Sequence, residues 1–416
     1  MTNYRMIRLY NNISSICAYN ILCMQISRII LSCISVFTFA TAEAQDIAAV
    51  LQSIEQSNTR LAAARQMNAA EIASQQAENV IGATSLEYSP FFHGGYRGIA
   101  SSELIVTQEF DYPTLYRERR KSTELRQDVL ELEYRTLRRD ILLDATKSCY
   151  DLVAARQSMK LIRKRIAATD SLLALYNRRL DHGHATILDL NRIKLDRMSL
   201  LTEEAECQGD ELSIIDHLQT LNGGQPLPDI SVVSVDEDLV FDIFTEAQTD
   251  YTPEPLEVAT AEAEVTFSRH ERALSRKSWY PTFTAGFRVN TEMRDANGGF
   301  VVGVAFPLFA NSKRQQASAQ KMTAAELALA DARAESLSRT RALRTEAENL
   351  QRKLRTYDAD LMEESLTVLL TAVLAGEISI MEYYTAAERT FAMLQERLAI
   401  AAQLRKVYAD LRRDEL

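Results

Sequence analysis

Most of this chain carries a helical pattern of apolar residues. Between residues 114 and 182 the apolar positions recur at short, heptad-like steps, separated by Arg, Glu, Asp and Lys: Leu125, Val129, Leu132, Leu137 and Ile141. This spacing predicts amphipathic helices that pack side by side. Neither glycine nor proline interrupts residues 114–182, 310–375 or 377–416, so very long helices are expected there. The first would extend about 100 Å at 1.5 Å per residue.

Two pairs of short segments alternate apolar and polar residues instead, which predicts β-strands. The predicted strands cover about residues 83–92, 101–113, 280–291 and 299–309. In the second of them one parity is apolar and the other is mostly acidic: Leu104, Val106, Phe110 and Tyr112 against Glu103, Thr107, Glu109 and Asp111. Each strand should therefore have one apolar and one polar face.

The second half of the chain repeats the plan of the first half. Segments correspond at offsets of 193 to 196 residues, and Gly183 falls on Gly376, each between two long helical runs. This indicates an internal duplication. Each copy reads as a helix, two strands, a very long helix, a glycine turn and a returning helix. The copies span residues 45–221 and 256–416, and a linker of residues 222–255, rich in Pro, Gly and Asp, joins them.

The strand pairs are expected to belong to a membrane β-barrel. A sheet with one face on a soluble core would also show such alternation. Aromatic residues, however, gather in and beside the strands, as in the girdles of membrane barrels: Tyr88, Phe92, Phe110, Tyr112, Trp279, Tyr280, Phe283, Phe287 and Phe306. Four strands cannot close a barrel, and in lipid no strand edge can stay unpaired. Several copies of the chain must therefore share one barrel.

Residues 1–44 are interpreted as a signal peptide. Arg28 precedes an apolar run over residues 29–40, and Ala42-Glu43-Ala44 is a small-x-small cleavage pattern. The run is too short for a transmembrane helix, and Met24 is a plausible true start. Cys33 resembles a lipoprotein site but has almost none of the apolar run in front of it, so lipidation is not expected. Cys149 and Cys207 then remain in the mature chain, which excludes a disulfide scaffold.

The chain as a whole is acidic, and this limits the classes of partner that it is expected to bind. Its formal net charge is −10, and no basic stripe interleaved with aromatic residues is present, so nucleic acid is not expected as a partner. The five histidines are scattered, and no catalytic triad, phosphate loop or HExxH motif occurs, so neither an enzyme nor a cofactor is expected. His182 and His184 stand close enough to bind a metal, but solvated turn residues are the favoured interpretation.

The two glycine turns resemble those of the TolC-type outer-membrane efflux family over essentially the whole mature chain. The turns read DHGHATILDLN from Asp181 and LAGEISIMEY from Leu374. Each has a glycine, a small polar residue, an aliphatic residue and an acid six positions after the glycine. The stretch QEFDYPTLY from Gln108 also resembles the cobalt-zinc-cadmium resistance (CzcC-like) branch.

The resemblance implies a mainly α protein that forms a homotrimer. Twelve strands would cross the outer membrane, in contact with its lipid, and twelve helices would continue as a tunnel through the periplasm. The turns would form the tip, with Gly183, His184, Gly376 and Glu377 docking a periplasmic adaptor protein. An inner-membrane pump, of the resistance-nodulation-division type, would deliver the cargo, which is either heavy-metal cations or drugs. A periplasmic adaptor or coiled-coil scaffold is the alternative function.

A gate is expected near the tip, at Asp189, Glu382 and Tyr383. In a symmetric tube each acid becomes a ring of like charges, which favours cations. The alternative is that both acids face outward as ordinary solvated residues or pair with neighbouring arginines. Glu382 replaces the aspartate of many relatives, and Thr385 replaces a second acid found in some, so this gate would carry fewer charges.

Overall fold

The computed structural model describes residues 42–92, 98–228, 255–292, 295–307 and 311–416. The predicted signal segment lies outside the described residues as far as position 41. Most of the predicted linker, residues 229–254, also lies outside them, and so does the end of the predicted fourth strand, residues 308–309.

Within the described residues, the first half of the chain builds four helices and one strand pair. In order, they are α1 (Ala42–Ser57), α2 (Thr59–Glu78), β1 (Ser85–Phe91), β2 (Ser101–Phe110), α3 (Pro113–Asp181) and α4 (Ile187–Leu221). Pro113 occupies the first helical position of α3, where its missing N–H and fixed φ favour a helix start. The predicted long helix is confirmed, since α3 is one uninterrupted helix of 69 residues.

The described part of the second half builds a second strand pair and four further helices. They are α5 (Leu256–Lys277), β3 (Thr282–Glu292), β4 (Asp295–Ala305), α6 (Asn311–Leu354), α7 (Ala359–Ala375) and α8 (Ile380–Leu411), followed by a 3₁₀ turn (Arg413–Glu415). Strand β4 begins four residues before its predicted start because it pairs with β3 down to Asp295, opposite Glu292. Its first five residues, Asp-Ala-Asn-Gly-Gly, include no large apolar side chain, so alternation could not reveal them.

The long helix predicted for residues 310–375 is wrong as a single element. It is interrupted between Leu354 and Ala359, although no glycine or proline stands there. The Asp358 side chain accepts a hydrogen bond from the Leu361 N–H at 3.0 Å and so caps the start of α7. The two segments pack in different clusters, α6 with the C-terminal part of α8 and α7 with its N-terminal part. The helix is therefore interrupted because Asp358 caps a new helix start, and not because a helix-breaking residue is present.

The four strands form one antiparallel sheet in the order β1-β2-β3-β4. The central pairing, β2 with β3, joins the two halves of the chain and sets Val106 opposite Phe287. Strands β1 and β4 are therefore the edges of the sheet, and within the described residues each has a strand partner on one side only.

The predicted division of the sheet into two faces is confirmed. One row across the apolar face runs Leu86, Val106, Phe287 and Phe300. Phe300 is 89% exposed and Leu86 70% exposed, so no described part of the chain covers this face. On the opposite face the Arg288 Nε lies 2.9 Å from Glu103 Oε1. Within the described residues, the sheet does not lie on a soluble core.

A buried arginine joins the two halves of the helical body. Arg139 on α3 is 3% exposed and bonds Asp140, Glu257 of α5 at 2.9 Å and Asp414 of the C-terminal turn at 2.8 Å. These carboxylates raise the pKa of Arg139 despite the opposing effect of burial. Because an unpaired buried charge is costly, this network holds α3, α5 and the C-terminal turn in one arrangement.

The two described cysteines are free thiols, as predicted. Counting residues from Gly183 puts them about 15 Å apart in height. In the structure the Cys207 Sγ lies 3.2 Å from the Ala155 carbonyl oxygen, only six residues along α3 from Cys149, or about 9 Å. The expected height difference is too large because the residues between Gly183 and α4 are not helical. They cover more distance per residue than helical residues do.

We expect both thiols to resist alkylation in the folded protein. Cys149 is 1% exposed, and burial raises its pKa to about 12. Burial also raises the pKa of the half-buried Cys207. Because the thiolate is the reactive form, a thiol reagent at pH 8 should label Cys207 slowly and Cys149 only after unfolding. Detection by mass spectrometry of a Cys149–Cys207 disulfide in folded protein would contradict the helix register.

Candidate functional site

The two glycine turns are built alike, one at the end of α3 and one at the end of α7. Gly183 has φ +74° and Gly376 has φ +84°, a left-handed conformation that glycine adopts at little cost. The next residue in each turn bonds back across the helix end: His184 N–H to Arg179 O at 2.7 Å and Glu377 N–H to Ala372 O at 2.9 Å. These are Schellman-type helix ends. Both glycines therefore serve the backbone by allowing the helix to end in a left-handed residue.

The acid six positions after each glycine is part of a helix cap. Thr186 caps α4 and Ser379 caps α8, and each forms a capping box with the acid three residues later. Asp189 Oδ2 accepts from the Thr186 N–H at 3.0 Å, and Glu382 Oε2 accepts from the Ser379 N–H at 2.8 Å. The recurring glycine, polar residue and acid are therefore a turn signature with a structural cause.

Hydrogen bonding at the second turn lowers the pKa of Glu382. The donors belong to Ser379, and they favour the ionised carboxylate. A lowered pKa in the folded state means that this stabilisation is complete above the usual glutamate range and is lost as the pH falls through the lowered value. The carboxylate of Glu382 is thus charged and exposed at neutral pH.

Arg179 connects the two turns. Its guanidinium, near the end of α3, donates from Nη2 to the Leu374 carbonyl oxygen at 3.2 Å, and so bonds the last residues of α7. A Cβ placed on Gly376 would lie 3.1 Å from the same Nη2. The turns that the sequence places 193 residues apart are therefore neighbours at one end of the helical body.

A buried cluster beneath the turns holds the two helical hairpins together. It contains residues from α3, α4, α7 and α8: Leu172, Tyr176, Leu190, Ile193, Val373, Ile380, Tyr383, Tyr384, Ala387 and Phe391. Tyr383, a predicted gate residue, is 4% exposed, and its ring meets that of Tyr384 at 5.4 Å. It packs in the cluster, so it lines no open surface of this chain. The predicted docking residues Gly183, His184, Gly376 and Glu377 are all exposed.

Charged contacts around this cluster were not predicted from the sequence. Arg165 of α3 lies 2.9 Å from Asp196 of α4, and the Thr169 hydroxyl donates to the same carboxylate. Arg192 of α4 stacks over Tyr384 at 5.2 Å and lies 3.6 Å from Glu388. Opposite charges occur on almost every turn of these helices, so no sequence signal distinguishes the pairs that meet.

The aromatic residues predicted as a girdle lie at two levels of the sheet. Tyr112, Tyr280 and Phe283 cluster where the sheet joins the helices, with Tyr112 4.9 Å from Tyr280. In the sequence, Trp279 is next to Tyr280, Phe110 lies two residues before Tyr112, and Phe306 directly follows β4. Further along the sheet, Phe287 meets Phe300 at 5.8 Å, and Tyr88 pairs with Leu104. Phe92, beyond β1, is exposed.

The structure also bears on metal binding. Across the described ranges, no three histidine, cysteine or carboxylate side chains come together in a form that could hold a metal ion. His182 and His184 are exposed turn residues. In the described part of the chain, no helix is sufficiently long and apolar to cross a bilayer.

No protein-family model matches the chain, and no curated protein matches its sequence. Solved structures do match. A membrane protein from Pseudomonas aeruginosa has a TM-score of 0.71 at 14% identity, over 89% of this chain and 93% of that one. The Vibrio cholerae outer membrane protein VceC has a TM-score of 0.70 at 12% identity, over 89% and 96%. The open Neisseria gonorrhoeae MtrE outer membrane channel has a TM-score of 0.71 at 12% identity, over 89% and 88%.

This chain has the fold of outer-membrane channel proteins. The mainly α fold with a small antiparallel sheet, expected from the resemblance of the turns, is confirmed. The shared barrel, the helical tunnel and the cobalt-zinc-cadmium branch stay predictions.

Replacing Gly376 with alanine should destabilise the protein more than replacing Gly183. Both substitutions force a left-handed residue, which costs about 1 kcal/mol. Only at position 376 does the new methyl group also press on Arg179, which bonds the neighbouring turn; around Gly183 nothing lies within 4 Å. Denaturant unfolding of the two variants checks this order. Equal losses would show that Arg179 moves aside freely.

Proposed function

We propose that this protein is the outer-membrane exit duct of a tripartite efflux system and a member of the TolC-type family. One observation carries the proposal: an uncovered apolar sheet face with two open edges stands on a helical body about 100 Å long. The apolar face suits lipid, and the long helices suit a tunnel through the periplasm. The duct conducts its cargo passively.

The strand lengths support a membrane barrel. Strands β2, β3 and β4 have 10, 11 and 11 residues, and a tilted strand needs about 9–11 residues to cross a bilayer. The backbone groups along β1 and β4 need partners in lipid. Pairing β4 of one copy with β1 of the next satisfies both edges. Three copies give a twelve-stranded barrel, and likeness to the TolC-type family supports that number.

The exposed turns support a docking role for the opposite end. Gly183, His184, Gly376 and Glu377 are proposed to receive the periplasmic adaptor, which connects the duct to an inner-membrane pump of the resistance-nodulation-division type. Exposed apolar side chains surround them, including Leu188 at 75% and Met381 at 52% exposure. Substitutions of Gly183 or Gly376 separate docking from folding. A variant that assembles normally but exports poorly has lost the docking surface.

The cargo is proposed to include cations. The polar face of the sheet carries Glu87, Glu103 and Glu109, only one of which bonds an arginine within the described residues. If this face lines the barrel, its acidic rows attract cations. The resemblance of residues 108–116 to the cobalt-zinc-cadmium branch makes heavy-metal cations the first cargo to test, with drugs as the second.

Cross-linking between strand edges tests the duct. Glu87→Cys on β1 should form disulfides between chains with a cysteine at one of the β4 positions 299, 301 or 303, which share its face of the sheet. Outer-membrane fractions should then yield covalent dimers and trimers. As a matched control, Glu103→Cys with Asn290→Cys joins facing positions on β2 and β3 and should cross-link only within the chain.

The same experiment distinguishes the alternative function. A periplasmic adaptor or scaffold would fractionate away from the outer membrane and give no cross-links from any of the three edge pairs. A soluble, detergent-free monomer with native helix content would overturn the duct.

Single-channel recording tests the proposed acidic gate. Glu382→Gln removes a charge but keeps an oxygen for the Ser379 N–H, so the turn should stay folded. If the carboxylates form a ring at the tip, cation preference and block by divalent cations should both fall. Glu377→Gln is the matched control, because Glu377 is exposed in the same turn but takes no part in the capping box. Unaltered selectivity and block in Glu382→Gln and in Asp189→Asn would place the gate elsewhere.

A further inference from the structure

A basic patch on α3 lies directly below the apolar sheet. Arg117 and Arg120 are exposed in the first two turns of the helix, one helical turn apart on one face, and Lys121 stands beside them. Neither arginine forms a salt bridge within the described part of the chain, whereas Lys121 bonds Glu124 at 3.2 Å. The patch is notable because the chain as a whole is acidic, with a formal net charge of −10.

The sign of the charge reverses along this face of α3. Beyond the patch come the exposed acids Glu124, Asp128 and Glu131, and then the exposed Arg135, which bonds Glu131 at 3.1 Å. Arg117 and Arg120 thus differ from Arg135 in having no ion-pair partner among the described residues.

The patch lies on the side of α3 that is not packed against the neighbouring helices. The opposite side of α3 packs on α2 and α5, through Asn79, whose amide donates to the Tyr116 carbonyl oxygen, and Glu271, which bonds Ser122. On that opposite side Arg119 bonds Asp111 at 2.7 Å and lines a cavity with Glu109 of the polar sheet face. The side of α3 that carries Arg117 and Arg120 is therefore free of these contacts and exposed.

The distance of the patch from the aromatic residues fits a lipid headgroup layer. Tyr112, immediately before α3, contacts Tyr280 at the helix end of the sheet. Arg117 and Arg120 follow it by five and eight residues, or about 8 and 12 Å along the helix. Aromatic rings sit at the membrane boundary and long cationic side chains reach the headgroups beside them.

We propose that Arg117 and Arg120 bind the phosphate of anionic phospholipids at the boundary between the sheet and the helices. This inference rests on the proposed function, since it requires the sheet to lie in a bilayer. Arginine forms paired hydrogen bonds with phosphate, and basic side chains near a membrane surface attract anionic lipid. The patch would thereby set the depth of the sheet in the membrane and enrich anionic lipid around the duct.

The single tryptophan of the chain reports on this boundary. Trp279 is 47% exposed and precedes Tyr280 of the aromatic cluster. We would reconstitute the purified oligomer in phosphatidylcholine vesicles that contain brominated phosphatidylglycerol or brominated phosphatidylcholine. Quenching of Trp279 by the brominated chains then measures which lipid occupies the boundary. The wild-type protein should be quenched more strongly by the anionic lipid at low salt.

The variant Arg117→Gln/Arg120→Gln should lose this preference, by up to about fivefold for each arginine. Arg117→Lys/Arg120→Lys keeps the charges and should retain most of it. Arg341→Gln/Arg344→Gln is the matched control: these arginines have the same spacing, are exposed, form no salt bridge in the described ranges and lie about 45 Å along α6 from its sheet end. The control should behave as wild type.

The outcomes separate the two proposals. If wild type is quenched equally by both lipids, or if the glutamine variant and the control keep the same anionic preference, the lipid site is refuted while the duct stands. If neither lipid quenches Trp279, the sheet does not enter the bilayer, and the proposed function itself fails.

Discussion

The hydrogen-bonding groups on the two sheet edges are the constraint on which the rest of this structure depends. Backbone N–H and C=O groups need partners wherever water is absent. The apolar face of the sheet is built for an environment without water, yet β1 and β4 each have only one neighbour within the described chain. A single copy cannot satisfy both conditions. The proposed function therefore requires each chain to be one segment of a larger closed assembly.

Contacts between the two halves of the chain hold that segment together as one unit. The sheet is continuous because β2 pairs with β3, which come from different copies of the repeat. The helical body is joined in the same way, by the buried Arg139 with Glu257 and Asp414, and by Arg179 between the two turns. Each joint uses hydrogen bonds or ion pairs across the duplication. The two copies are thus fixed relative to each other from the sheet to the tip.

The glycine turns show how a structural requirement and a functional one can share a residue. A left-handed glycine followed by a capping box is sufficient to explain the acid at Asp189 and at Glu382. The presence of an acid there is consequently no evidence for a gate by itself. A gate would also require symmetry, because an exposed carboxylate such as Glu382 becomes a ring of charge only when several copies surround one axis.

The sequence by itself determined the elements and their faces. Periods of about 3.6 and of 2 residues reveal helices and strands directly, so α3, the two faces of the sheet and both glycine turns were predictable. Only the tertiary structure decided the break before α7, the polar start of β4, the burial of Tyr383 and the register of Cys207 against Ala155. These depend on which distant residues meet, as when Asp295 pairs with Glu292 or Tyr383 packs on Tyr384. A local pattern records the face that a residue presents, but not the partner that it finds.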